Sequence, residues 1–224
     1  MHHPKTAGSG RDHARHIPRQ DGDVPDIVRL MSLWYWLLLG AGTWILAVVL
    51  KVTADLYVQR TNLPDLRDWA AALLSGIWSS LCELGLFVLA IWLWNAGLVE
   101  TLVAALGAAL AELVALLPAI LSARFGKAAG QARKIPAWRV IALERGLHVA
   151  NHLFVRTLLW IGIMGTAGPA AVATAFGLFA LAETAQAYAQ ARNWDLLQPR
   201  AQTAFLSFLG TVILLHAGLV ILWW

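Results

Sequence analysis

On one stretch of this chain Glu144, His148, His152 and Arg156 recur at four-residue steps, a spacing that puts all four on one face of an α-helix. Arg145 and Asn151 stand beside that face. Two imidazoles one turn apart suit three kinds of chemistry. They can give two nitrogen donors to one metal ion, with carboxylates from neighbouring helices completing the shell. They can pass protons to and from carboxylates. They can also form a polar seam against another subunit. Elsewhere Glu83, Glu112, Glu183 and His216 each sit inside a long apolar stretch. An ionisable group in hydrocarbon costs several kcal/mol unless it is paired, hydrated or metal-bound, so each of these is a candidate site residue by default.

As a metal centre, the set would be His148, His152, Glu83, Glu112 and Glu183 around one transition-metal ion. The pattern has modest specificity. No Glu-x-x-His pair of the di-iron bundle type occurs, since Glu144 and His148 are four residues apart, and there is no His-Glu-x-x-His, nucleophile elbow or Walker loop. A single buried His could serve a haem or a chlorin as axial ligand, without any attachment motif to support it. At the start of the chain Met1-His2-His3 puts a His third after a free amine, a geometry that chelates Cu(II) or Ni(II), and short sequences of that kind arise readily by accident.

Each residue also has a plainer account. Glu144 and Arg145 read as an interfacial ion pair at the start of a helix. Glu183, Gln186 and Gln190 read as the wetted end of another. His216 is isolated on its segment and reads as a hydrogen-bonded packing residue. Glu83 resists such an account, because only Ser79, Ser80 and Cys82 are polar near it, so it must find a partner or stay protonated.

The elements that must position these side chains follow from composition. Of 224 residues, 59% are apolar and 13% charged, which excludes a soluble domain and indicates an all-α polytopic membrane bundle. Apolar segments cover about 32–52, 69–95, 98–121, 138–165, 170–190 and 202–222, giving five or six transmembrane helices behind a polar tail at 1–31 that lacks apolar periodicity and is expected to be disordered. Several of the 12 Trp lie at segment ends, including Trp69, Trp92, Trp94, Trp138 and Trp224, as in the aromatic belts of membrane proteins. The first segment is too long for a signal-peptide core and no small-x-small cleavage site follows it. The third is rich in small residues at four-residue spacing (Ala104/Ala108, Ala105/Ala109, Gly107/Ala111), which allows close helix approach. Cys82 is the sole cysteine, so no internal disulfide can form.

The basic residues Lys51, Arg60, Arg67, Arg124, Lys127, Arg133, Lys134, Arg139, Arg192 and Arg200 gather at the loops after segments one, three and five. With six crossings these loops share a side, cytoplasmic by the positive-inside rule, and the tail with its own basic residues lies opposite. With segment three re-entrant, five crossings put tail and long loop together. Charge favours five and hydropathy favours six. Counted from the basic face at about 1.5 Å per residue, His148, Glu183 and Glu112 lie about 12–15 Å deep, and Glu83, His152 and His216 lie near the bilayer middle.

The reading is therefore of a bacterial inner-membrane protein, non-enzymatic, serving as a subunit of a larger assembly or transport system. Its buried cluster of Glu83, Glu112, Glu144, His148, His152, Glu183 and His216 would be structural or proton-carrying. The alternative is a metal-dependent membrane enzyme acting on a lipid or quinone. Partners expected are the lipid bilayer and other membrane subunits. Nucleic acid is excluded, because the basic residues flank apolar segments and form no stripe with exposed aromatics.

Overall fold

The computed structural model describes residues 26–60, 68–125, 137–165, 167–192 and 199–224. They form six α-helices: α1 (Asp26–Arg60), α2 (Asp68–Trp94), α3 (Leu98–Phe125), α4 (Ala137–Met164), α5 (Gly168–Ala191) and α6 (Pro199–Trp223). All six are long and apolar enough to cross a membrane, α3 included. The chain is an integral membrane helical bundle. Among the described residues there is no strand, as expected where lipid leaves every backbone amide to find its partner within its own helix.

Several helices run past their apolar segments. α1 begins at Asp26, so residues 26–31 of the expected tail are helical, and it ends at Arg60, well beyond residue 52. α3 continues to Phe125 and carries Pro118 within it, which leaves the Val114 carbonyl without its usual amide donor. Helical hydrogen bonding does not stop where hydrocarbon stops. The rest of the tail, including Met1-His2-His3, and the loop around Lys127 and Arg133 lie outside the described residues.

The connection between α2 and α3 shows how the chain turns. Asn95 has φ +48°, and the Ala96 amide donates to the Ile91 carbonyl at 3.1 Å, a Schellman closure of α2. The Trp160 indole N–H then donates to the Ala96 carbonyl at 2.9 Å, fixing this turn against α4.

α4 lies at the centre, packed against α2, α3, α5 and α6. Leu84, Phe87 and Ile91 of α2, Val155, Leu158 and Leu159 of α4, and Ala171, Ala175 and Phe179 of α5 form one buried apolar cluster. A second joins Ala182 of α5 to Phe205, Leu209, Val212 and Ile213 of α6. α1 meets α3 through small residues. A Cβ on Gly40 would fall 1.8 Å from the Ala104 carbonyl oxygen, and one on Gly107 would fall 2.0 Å from that of Leu37. The backbones therefore touch at this level, and Ala104, Ala105, Ala108 and Ala109 are all buried. The outer surface is apolar, with Met31, Trp34, Leu38, Leu214, Ile221 and Leu222 exposed where bilayer chains would cover them.

Candidate functional site: a carboxylate–imidazole–guanidinium cluster

The polar stripe of α4 faces the other helices. His152 and Arg156 are 3% and 1% exposed, a burial that is costly for a charged or polar group in a bilayer unless it is partnered. Arg156 has them. Its Nη2 donates to Glu83 Oε1 on α2 at 2.7 Å, its Nη1 meets His152 Nδ1, and its guanidinium carbon lies 4.8 Å from the centre of the Phe87 ring. The ring face supplies a cation–π contact on a side where no anion is available.

His152 bridges two carboxylates from different helices. Its Nε2 is 2.7 Å from Glu112 Oε2 on α3, and its Nδ1 is 3.2 Å from Glu83 Oε1 on α2. The ring stands edge-on to Phe179 with centroids 6.3 Å apart. The Arg156 contact fixes the tautomer: guanidinium nitrogens only donate, so Nδ1 accepts from Arg156 and Nε2–H donates to Glu112.

Glu112 is a junction. Besides His152 it accepts from Arg145 Nη1 at 2.8 Å, and His148 Nδ1 lies 3.9 Å from its Oε1. Arg145 Nη2 also donates to its neighbour Glu144 at 2.8 Å, so the expected interfacial pair exists but is tied to a carboxylate of α3. Glu183 of α5 accepts from Ser79 Oγ at 2.6 Å and from Lys51 Nζ of α1 at 3.1 Å. α2 and α5 come close one turn earlier, where a Cβ on Gly76 would fall 2.6 Å from the Thr184 backbone nitrogen. That approach brings Ser79 within reach of Glu183.

These groups surround a cavity of about 350 Å³ lined by residues of α1 to α5, among them Trp44, Lys51, Ser79, Glu83, Glu112, Arg145, His148, His152, Phe179 and Glu183. Five of the candidate residues thus share one space, and Glu144 joins through Arg145. His216 does not line this cavity. It is fully buried on α6 with its ring near the Ala175 backbone of α5, yet neither ring nitrogen makes a hydrogen bond of normal geometry to any described residue. His148 Nε2, Asn151 Oδ1 and the Nε of Arg156 likewise make no hydrogen bond among the described residues.

Charge and donor use characterise the site. Among the described residues, Glu83, Glu112, Glu144 and Glu183 are paired with three permanent cations, Lys51, Arg145 and Arg156. Among the described residues no three His, Cys, Asp or Glu side chains are arranged to hold one metal ion. The carboxylates nearest the imidazoles are instead engaged by arginines. Sequence reasoning missed Lys51, which it counted among the loop basic residues, and did not single out Trp44. It put Arg156 on the stripe without its partner Glu83.

Beyond this cluster the packing is apolar: Phe87 lies one turn past Glu83, Leu159 one turn past Arg156, and both belong to the buried apolar cluster with Leu84, Leu158 and Ile91. The site is a polar pocket with an apolar floor.

Comparison with protein-family models, with curated proteins and with solved structures finds no match to this chain.

Proposed function

We propose that this protein is a non-enzymatic subunit of a membrane transport system or larger membrane assembly, in which the Glu83–His152–Glu112 cluster takes up a proton and holds it within the bilayer. The observation that carries this reading is the position of His152, with Glu112 2.7 Å from Nε2 and Glu83 3.2 Å from Nδ1; Arg156 shares Nδ1, so protonation of the ring exchanges the arginine contact there for the one to Glu83. The one-charge deficit of permanent cations favours a proton as the missing charge. Depth supports it too, since Glu83 and His152 lie where water is scarce and a proton must be carried by side chains. The distribution of basic loops favours a cytoplasmic opening in a membrane of the bacterial inner type.

The apolar floor implies half of a proton route, completed by a conformational change or by a partner subunit. The test is reconstitution of the full chain into vesicles holding a pH-sensitive dye. The wild type should be proton-tight under an imposed potential. Phe87→Ala combined with Leu159→Ser should open a proton leak, and adding Glu83→Gln should suppress it. A leak indifferent to Glu83→Gln would mean that water alone carries the protons, and the reading would fall.

A further inference from the structure

A second recess lies on the outer face of the bundle between α1 and α3. It is an open groove of about 370 Å³ whose walls include Leu38, Ile45, Leu110 and Val114. Its residues are almost wholly apolar, and Leu38 and Val114 are each 68% exposed. By itself such a groove in a membrane protein is only a place where lipid chains lie. What distinguishes this one is its far end. Trp44 and Ala115 line the groove and also line the polar cavity.

The two recesses therefore meet at one pair of side chains. At the level of Gly40 and Gly107 the backbones of α1 and α3 touch and nothing can pass between them. One to two turns further along both helices stand Trp44 and Ala115, each of which borders both the outer groove and the polar cavity.

We propose that α1 and α3 form a lateral doorway at Trp44 and Ala115 for an uncharged, single-tailed amphiphile of the isoprenoid-quinone type, its head in the polar cavity and its chain in the outer groove. The choice of head follows from charge. With the missing positive charge taken by a proton at His152, as in the reading above, Lys51, Arg145 and Arg156 balance the carboxylates, so a phosphate would meet Glu83, Glu112 and Glu183, and an ammonium would meet Lys51 and Arg145. A neutral head that accepts hydrogen bonds suits a wall carrying Lys51 Nζ, with its side chain 36% exposed. The choice of one chain follows from length. From Leu38 to Ile45 the groove runs about 10 Å at the helical rise, enough to seat the first part of one tail and too narrow a feature to order two. No redox step is assigned to this site.

The inference rests on the cavity being a site of protonatable groups, and its test separates the two claims. The full chain is placed in lipid nanodiscs, and binding of a decyl-tailed benzoquinone is measured against empty nanodiscs, alongside the tail-less benzoquinone and stearate. Saturable binding of the decyl quinone is expected, with Ala115→Trp and, at the outer rim, Leu38→Trp each weakening it by about tenfold or more while thermal unfolding stays near wild type. Using two variants keeps the test open if one fails to fold. Binding no greater than in empty nanodiscs, binding untouched by both variants, or equal binding of stearate would overturn the proposal. Quinone binding that persists in His152→Gln, together with an unaltered proton signal in that variant, would support the doorway and reject only the proton-holding reading.

Discussion

His152 on α4 and Glu112 on α3 are joined at 2.7 Å, in helices whose connecting loop lies outside the described residues. The pair is the only direct link, among the described hydrogen bonds, from the central imidazole to α3. It ties the buried Arg156–Glu83 pair on one side to the Arg145–Glu144 pair on the other. The cluster thus spans three helices through one ring.

Its ion pairs should behave as a unit. Arg156→Leu leaves Glu83 deep in the bundle without its guanidinium and should destabilise the protein by about 3–5 kcal/mol. Glu83→Leu combined with Arg156→Leu removes both charges and should recover most of that loss, since apolar replacement of a whole buried pair is often neutral. Unfolding in mixed micelles, followed by circular dichroism, measures both. A double variant as unstable as the single one would mean that the pair contributes through packing alone.

The contact between α1 and α3 makes a second test. Gly40→Val has no room against the Ala104 carbonyl and should cost roughly 1–3 kcal/mol or more by overpacking. Gly42 has nothing within 4 Å of where its Cβ would lie, so Gly42→Ala should be neutral or stabilise by up to about 1 kcal/mol through helix propensity. The same unfolding assay reads both substitutions, and equal effects would contradict the close approach.

Much of the bundle was legible in the sequence because bilayer thickness imposes long apolar runs, and Asn95-Ala96-Gly97 and Gly165 to Pro169 break them visibly. The ends were less legible. Asp26–Met31 and Thr53–Arg60 mix charged with apolar residues and read as tail and loop, yet the helix extends through them, because helical propensity has no sharp boundary at the headgroups. The gathering of Glu83, Glu112, His148 and His152 followed from similar depths on adjacent helices. Depth says nothing of azimuth, however, so the partners of Glu83 and Glu183 could not be read: Arg156 and Lys51 are distant in sequence and reach them only once α1, α2, α4 and α5 are packed. His216 has the same depth and points elsewhere.

Topology can be checked independently of the cluster. In a Cys82→Ser background, a cysteine placed at residue 15 and another at residue 128 report sidedness to an impermeant thiol reagent on intact cells. Six crossings with the basic loops inside give labelling at 15 and protection at 128. Protection at both sites would mean that α3 does not cross, despite its length. Labelling at 128 would reverse the orientation and turn the cavity toward the outside.

The most direct test of the central claim is infrared difference spectroscopy of the protein in lipid, cycled between a more acidic and a more alkaline buffer, with 13C-labelled Glu and 15N-labelled His. Proton uptake by the cluster should appear as one imidazole signal coupled to a carboxylate shift. His152→Gln should abolish both signals in a folded protein, while His216→Gln, which alters a buried imidazole outside the cavity, should leave them unchanged. A difference spectrum that survives His152→Gln, or one that His216→Gln removes equally well, would contradict the assignment of the proton to the Glu83–His152–Glu112 bridge.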